Sequence, residues 1–383
     1  MAQENQKSAF IAMSGGVDSS VAAWLMREQG YRCVGVTMRL YRNADIGLSP
    51  FRTCCAQKDM DDASEVAFQL DIPYEILDFT AEFQEQVINR FIRIYEEGGT
   101  PNPCVDCNRF MKFDRLLRYA QAHGFDDVAT GHYARIEYDP ARGRYLLKKA
   151  LDASKDQSYV LYMLTQEQLA HTHFPLGGKT KAETRAIAEQ LSLCNAHKHD
   201  SQDICFVPDG DYAAFMERRT GKTYPAGDFL DTDGNVVGQH RGAVRYTPGQ
   251  RKGLGLALGQ PVYVCGKDMA ANTVTVGPES ALYTRELFAE EMNWISIPGL
   301  EGPLRVRAKT RYRQPEQPAT VYPIDGGRIR LVFDEPQRAV TAGQAVVLYD
   351  GEIVVGGGTI CECQPLSHRN PQKLELFQAE HID

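Results

Sequence analysis

From Ser8 to about residue 210, short apolar runs of strand length alternate with longer runs whose apolar positions recur at helical spacing. That order predicts a parallel α/β sheet. "SAFIAM" reads as a buried strand, "DSSVAAWLMREQ" as a helix stopped by Gly30, and "YRCVGVTMRL" as the next strand, which together make one βαβ unit. "DMDDASEVAFQL" is helical and "YEILDF" strand-like. "RFMKFDRLLRYAQAHG" is a helix with a terminal glycine, and "DDVATGHYARI" is a strand running into a loop. Thr180 and Glu183 in "TKAE" have the spacing of a capping box ahead of "TRAIAEQL". Beyond about residue 217 the texture changes to short alternating runs punctuated by Gly, Asn and Asp, as in "FLDTDGNVVG" and "YVCGKDMAANTVTVG". A break near 281–286 precedes "LRVRAKTRYR", "GGRIRLVF" and "AVVLYDGEIVVGG". The expected layout is a parallel-sheet α/β domain over 1–217, a small central β domain over 218–281, and a C-terminal β-barrel-like domain over 282–383.

With 43% hydrophobic and 24% charged residues in 383, the composition is that of an ordinary folding chain. No run approaches the roughly 20 apolar residues of a membrane span, and "MAQENQKSAF" has no signal-peptide core. The expectation is a cytoplasmic protein without a membrane partner. Ten cysteines in so long a chain are not a secreted disulfide framework, so each thiol is core filler, ligand or reagent. A net charge of −8 excludes an indiscriminate coat for nucleic acid and leaves room for a local basic face.

The first strand runs into Ser14-Gly15-Gly16-Val17-Asp18-Ser19 and then a helix, a layout in which backbone N–H groups and the helix N-terminus hold an anion. The loop lacks the lysine of G-x-x-x-x-G-K-[ST] and the spacing of G-x-G-x-x-G. A bare Gly-Gly would be read as a tight turn; the flanking serines and an aspartate able to hold Mg²⁺ favour function. S-G-G-x-D-S in this setting resembles the PP-loop of ATP pyrophosphatases. The resemblance implies ATP and Mg²⁺ as cofactors, with Ala12, Met13, Ser14, Gly15, Gly16, Val17, Asp18 and Ser19 around the pyrophosphate. Met38 and Gly131 would line the adenine pocket.

Cys104 and Cys107 form a C-x-x-C in "TPNPCVDCNRFMKF", stiffened by Pro101 and Pro103. Cys107 stands just before the expected helix, where a thiol is biased towards thiolate. Cys205 in "KHDSQDICFV" is a third candidate for the same site. With "SGGVDSS", "TGHYAR", "KDQSYVL", "YTPGQRKGLG" and "KTRYRQ", these segments resemble the bacterial tRNA-specific 2-thiouridylase family over essentially the full chain. The resemblance implies adenylation of the C2 oxygen of the wobble uridine and its replacement by sulfur. Cys107 would be the nucleophile, Cys205 the persulfide carrier, and tRNA and a sulfur-donor or relay protein the partners. It implies tRNA contacts at Asn102, Pro103, Cys104, His132, Lys155, Asp156, Gln157, Arg311, Tyr312 and Gln344. Many members carry aspartate where Cys104 stands. Cys104, Cys107 and Cys205 could therefore ligate an iron–sulfur cluster instead; direct persulfide transfer ranks first.

Cys33, Cys265, Cys361 and Cys363 fall in apolar strands and read as core, and Cys54–Cys55 as filler. Cys194, His197 and His199 read as a solvated loop, so no metal site is assigned. Arg305, Arg307, Lys309, Arg311 and Arg313 alternate, so that one strand would project five cations from one face, with Arg328 and Arg330 extending it. Two rival readings are a PP-loop ligase for a small metabolite, which needs neither the thiols nor the cationic strand, and an RNA-binding protein with a decayed loop, which the intact loop argues against.

Overall fold

The computed structural model describes residues 6–46, 55–199 and 204–365. β1 (Ser8–Ala12), β2 (Arg32–Arg39), β3 (Tyr74–Asp78) and β4 (Asp127–Thr130) are parallel strands. After β4 the chain makes a hairpin, β5 (Ala134–Asp139) and β6 (Arg144–Lys149), and returns as the short β7 (Thr172–His173). The parallel sheet has the order β3-β2-β1-β4-β7. β1 and β4 are buried along most of their length because helices cover both faces, which is why they read as continuous apolar runs. The helix Val17–Glu28 buries Val17, Val21, Ala22, Ala23 and Met26 on the sheet. From β1 the chain moves to β2 on one side, and later adds β4 on the other. The carboxyl ends of β1 and β4 thus flank the crevice where such sheets bind ligands.

β8 (Gly227–Leu230), β9 (Val236–His240), β10 (Tyr263–Asp268) and β11 (Thr273–Gly277) make a four-stranded sheet over a small core centred on Phe229, Val264 and Val274. The helix Tyr212–Thr220, capped by Asp211 and ended by Gly221 at φ 69°, leads into it. β12 (Tyr283–Trp294), β13 (Leu304–Lys309), β14 (Gln317–Pro323), β15 (Ile329–Arg338), β16 (Ala345–Asp350) and β17 (Ile353–Pro365) are antiparallel, and β12 pairs with both β15 and β17. That pairing closes a six-stranded barrel around Leu287, Val306, Leu331, Phe333 and Leu348.

The α/β class and the C-terminal barrel agree with the sequence reading, and the Thr180–Glu183 capping box is formed reciprocally. Two expectations are corrected. The stretch after β4 is a hairpin and not a loop, and its β6 pairs with β17 at Ile353–Lys148, so the first 217 residues lend two strands to the barrel sheet. The cationic strand stops at Lys309, because Thr310 to Gln314 turn back towards β14, so Arg311 and Arg313 share no strand face with Arg305 and Arg307. Cys54 and residues 200–203 lie outside the described residues. Among the described residues no helix is long and apolar enough to cross a membrane.

Candidate active site

The glycine-rich loop is built by its own side chains. The Ser14 N–H donates to Ser19 Oγ at 3.1 Å, and the Ser19 and Ser20 hydroxyls both donate to the Gly16 carbonyl at 3.0 Å. Gly15 has φ 72°, and a Cβ there would run into the Asp59 carbonyl, so only glycine fits. Gly131 is held to glycine differently, since its Cβ would lie 2.7 Å from the Asp18 carbonyl carbon and the Ser19 nitrogen. The end of β4 thus touches the first turn of the loop's helix backbone to backbone. Met38 packs against the core at the end of β2.

Lysines absent from the loop itself arrive from later in the chain. Lys181, the first residue of the helix Lys181–Gln190, places Nζ 2.7 and 2.8 Å from the two Asp18 carboxylate oxygens, and the Tyr133 hydroxyl donates to Asp18 at 2.9 Å. Lys198 Nζ donates to the Gly15 carbonyl at 3.0 Å and pairs with Asp59 and Asp62 at 2.6 and 2.5 Å, while Asn195 Nδ2 reaches the same carbonyl at 3.0 Å. Asp18 thus holds the Lys181 ammonium against the first turn of the loop's helix. Sequence order hid these lysines; the capping box that fixes the start of the Lys181 helix was the signal that could have found one.

The thiols sit on the other rim. The helix of Cys104 and Cys107 starts at Pro103, with Asn102 as N-cap and Pro at N1, ahead of the expected start at Arg109. Cys104 is therefore in the first turn and Cys107 in the second, a correction to the placement of Cys107 just before the helix. The expected thiolate bias is corrected too. Burial pushes Cys107 up to about 11, Cys104 and Asp106 adding to the rise and Lys112 opposing it. The dipole's influence fades beyond the first turn, and desolvation outweighs it. Burial likewise pushes Cys205 up to about 12, with Cys107 and Cys104 contributing and Lys112 and Tyr41 opposing. Burial also raises Cys104, again against Lys112. Cys104 and Cys205 keep exposed surface, so crowding around each sulfur sets these shifts. Tyr41, just past β2, donates its hydroxyl to the Cys205 carbonyl at 2.9 Å. Cys205 thus joins the C-x-x-C pair, distant in sequence, at one site, all three as free thiols. Among the described residues no three His, Cys, Asp or Glu side chains gather as metal ligands, so the residues present do not fit a cluster.

His132 is buried, its Nδ1 2.7 Å from Thr130 Oγ1 and its ring between Phe113 and Phe174. Burial, reinforced by Lys112, holds it well below the ordinary histidine range, so it is neutral. Gln157 accepts the Tyr133 N–H at 2.9 Å, which ties the turn carrying Lys155 and Asp156 to the tyrosine on Asp18; Asp156 accepts from the Ala150 and Ser158 N–H groups. Gln344 donates to the carbonyls of Thr100 and Pro101 at 2.9 and 3.2 Å, pinning the loop before Asn102 to the barrel. Tyr312 is exposed with its ring 6.1 Å from Tyr159, and Arg311 donates to the Ala339 carbonyl at 2.6 Å. The cationic stripe is further corrected by its partners: Arg305 pairs with Asp334, Arg307 lies 3.7 Å from Glu316, and Arg330 pairs with Glu286.

A glycine-rich loop at the switch point of a parallel sheet, with an aspartate in the first turn of the helix that follows, defines a PP-loop enzyme. The chain belongs to the tRNA-specific 2-thiouridylase MnmA family. A protein of that name from Acetivibrio thermocellus is 52% identical over 93% of this chain and 99% of its own, and one from Moorella thermoacetica is 54% identical over 92% and 98%. Family models described as tRNA methyl transferase HUP domain, tRNA methyl transferase PRC-barrel domain and Aminomethyltransferase beta-barrel domain match residues 7–209, 213–278 and 284–360. Among solved structures, a 4-thiouridine synthetase–RNA complex with bound ATP is similar over 56% of this chain and 50% of that chain, at 16% identity and a TM-score of 0.33.

Proposed function

We propose that this chain is an ATP-dependent tRNA-uridine 2-sulfurtransferase acting on the wobble uridine, U34. The observation that carries the reading is the meeting of Cys107 and Cys205 around Lys112, which also faces His132, the residue after the Gly131 that abuts the glycine-rich loop. Although two family models are described by methyl transfer, paired thiols next to a nucleotide loop are the equipment for moving sulfur. ATP supplies the adenylyl group that turns the C2 oxygen of uridine into a leaving group. Ser14 to Ser19 would hold the pyrophosphate, Asp18 would hold Mg²⁺, which supplies positive charge to the leaving phosphates, and Lys181, freed from Asp18, would turn to the phosphate oxygens. Cys205 carries a persulfide delivered by a sulfur-donor or relay protein. The Cys107 thiolate attacks Cys205 Sγ, forms the Cys107–Cys205 disulfide and expels the terminal sulfur as hydrosulfide, which adds to C2 as AMP leaves. An external dithiol then reduces the disulfide. Asn102, Pro103 and Cys104 line the base, while Lys155, Gln157, Tyr312 and Gln344 flank the tRNA path. The three-part division at 217 and 281 and a cytoplasmic setting, where tRNA and ATP are available, complete the reading.

The test is mass spectrometry of unmodified tRNA incubated in air with metal-free protein, ATP, Mg²⁺ and a persulfide donor. The expected product is tRNA with one oxygen exchanged for sulfur at U34, dependent on ATP, together with a Cys107–Cys205 disulfide. Thiolation that requires iron and exclusion of air, or no thiolation with persulfide loaded, overturns the mechanism.

A further inference from the structure

Burial leaves the three thiols of this site protonated near neutral pH, yet the proposed chemistry needs a thiolate. Lys112 is the cation that opposes the rise at all three, and it does so from a specific place. The helix is of π type from Cys107 to Arg115, so its turns close from i to i+5 and Lys112 falls one turn on from Cys107. π turns inside α-helices recur at functional sites because the extra residue re-aims side chains. The ammonium is held without being neutralised. Lys112 Nζ donates to Asn108 Oδ1 at 3.0 Å, Asn108 is buried, and its Nδ2 donates to the Val160 carbonyl at 2.8 Å. No carboxylate pairs with Lys112 among the described residues, although most half-buried lysines there have one, Lys148, Lys149, Lys181 and Lys198 included. His132, against the same cation, stays neutral and adds no competing charge. The neighbouring Asp106 acts the other way, but its carboxyl is turned to Arg90 at 3.3 Å.

We infer that Lys112 holds the positive charge that stabilises the Cys107 thiolate and, before attack, the persulfide anion on Cys205. It acts through the thiols and not on the tRNA or ATP. The inference rests on the sulfur-transfer reading for its purpose, while its measurement does not depend on that reading. With the ammonium present the Cys107 proton leaves for solvent at a lower pH than burial alone would allow; with it removed, burial governs the thiol.

The test is the pH dependence of iodoacetamide alkylation of Cys107 in the full chain, followed by mapping of the Cys107 peptide, without tRNA or ATP. Lys112→Gln keeps a donor for Asn108 and removes the charge. Its alkylation midpoint is expected to rise by about one pH unit, a roughly tenfold lower rate below the midpoint. Lys112→Arg should follow the wild type. A Lys112→Gln profile that overlays the wild type, or a Lys112→Arg profile that shifts as far as Lys112→Gln, overturns the inference. If Lys112→Gln does not fold, Lys112→Met carries the same prediction and the same refutation. A shifted profile in a chain that does not thiolate tRNA leaves Lys112 standing and removes the proposed function; an unshifted profile in a chain that does thiolate removes only Lys112.

Discussion

At the residue scale, the loop depends on approaches too close for any side chain. Gly131 abuts the backbone of Asp18 and Ser19, so Gly131→Ala must push the loop's helix away from β4. Overpacking of this kind costs about 1–3 kcal/mol. The expected outcome is a lower unfolding midpoint and loss of ATP-dependent pyrophosphate release, with tRNA retention on a filter nearly unchanged; full pyrophosphate release in the variant would show that the close approach is incidental. Asp18→Asn separates charge from shape. It keeps the hydrogen-bond acceptor for Tyr133, removes the carboxylate charge proposed to hold Mg²⁺ and leaves Lys181 without its partner at 2.7 Å. Pyrophosphate release should fall by orders of magnitude while tRNA affinity holds. Equal loss of both, read by the same filter assay, counts against Asp18 as the metal ligand.

At the scale of elements, the helix carrying Cys104 and Cys107 is fastened to the barrel by charge. Arg90 lies between Asp106 at 3.3 Å and Glu291 of β12 at 2.8 Å, with Arg109 on Glu291 at 3.4 Å. Burial pushes Asp106 up to about 6, outweighing Arg90, Arg109 and Arg93, with Glu291 adding to the rise. Between the ordinary aspartate value of 3.8 and about 6, the folded chain keeps a proton that the unfolded chain has released. Stability from this group is therefore greatest below 3.8 and falls as pH rises to 6. Asp106→Asn lacks that loss, so its stability relative to wild type should improve between pH 4 and 7 by on the order of 3 kcal/mol at most, measured by urea unfolding. A difference that does not vary with pH would mean Asp106 is ionised throughout. Gln344 fastens the same helix from the other side, and Gln344→Ala should speed hydrogen exchange at residues 100–106; weakened tRNA binding without faster exchange would instead make Gln344 a direct RNA ligand. These joints are illegible in the sequence because each joins residues far apart. Local signals are legible: the loop, the capping box and the apolar β1 follow from neighbours within a few positions. The start of the thiol helix escapes the sequence reading because Pro103 reads as a breaker until its N1 role is recognised.

At the scale of the whole molecule, a chain of net charge −8 that binds a polyanion must present cations with charge to spare. Alternation in "LRVRAKTRYR" reads as that face because no acid stands within it. The acids come instead from neighbouring strands of the barrel. Asp334 lies on β15 and meets Arg305 across β14, Glu316 precedes β14 and lies 3.7 Å from Arg307, and Glu286 on β12 meets Arg330. Such pairs are exposed and worth little to stability, but they leave less charge for a phosphate to neutralise. Arg311 is committed in another way, since its guanidinium satisfies the Ala339 carbonyl, and Arg311→Gln should lower the unfolding midpoint before it affects RNA. The double variant Arg305→Gln/Arg307→Gln tests the face itself. Each phosphate that the protein ceases to neutralise would reduce the slope of log affinity against log salt by roughly one. With both arginines already paired, the variant's slope for tRNA should stay within about 0.5 of the wild-type value. A slope lower by about two would mean that both ion pairs open on binding, restoring the strand to the RNA interface despite its neutral appearance in the free chain.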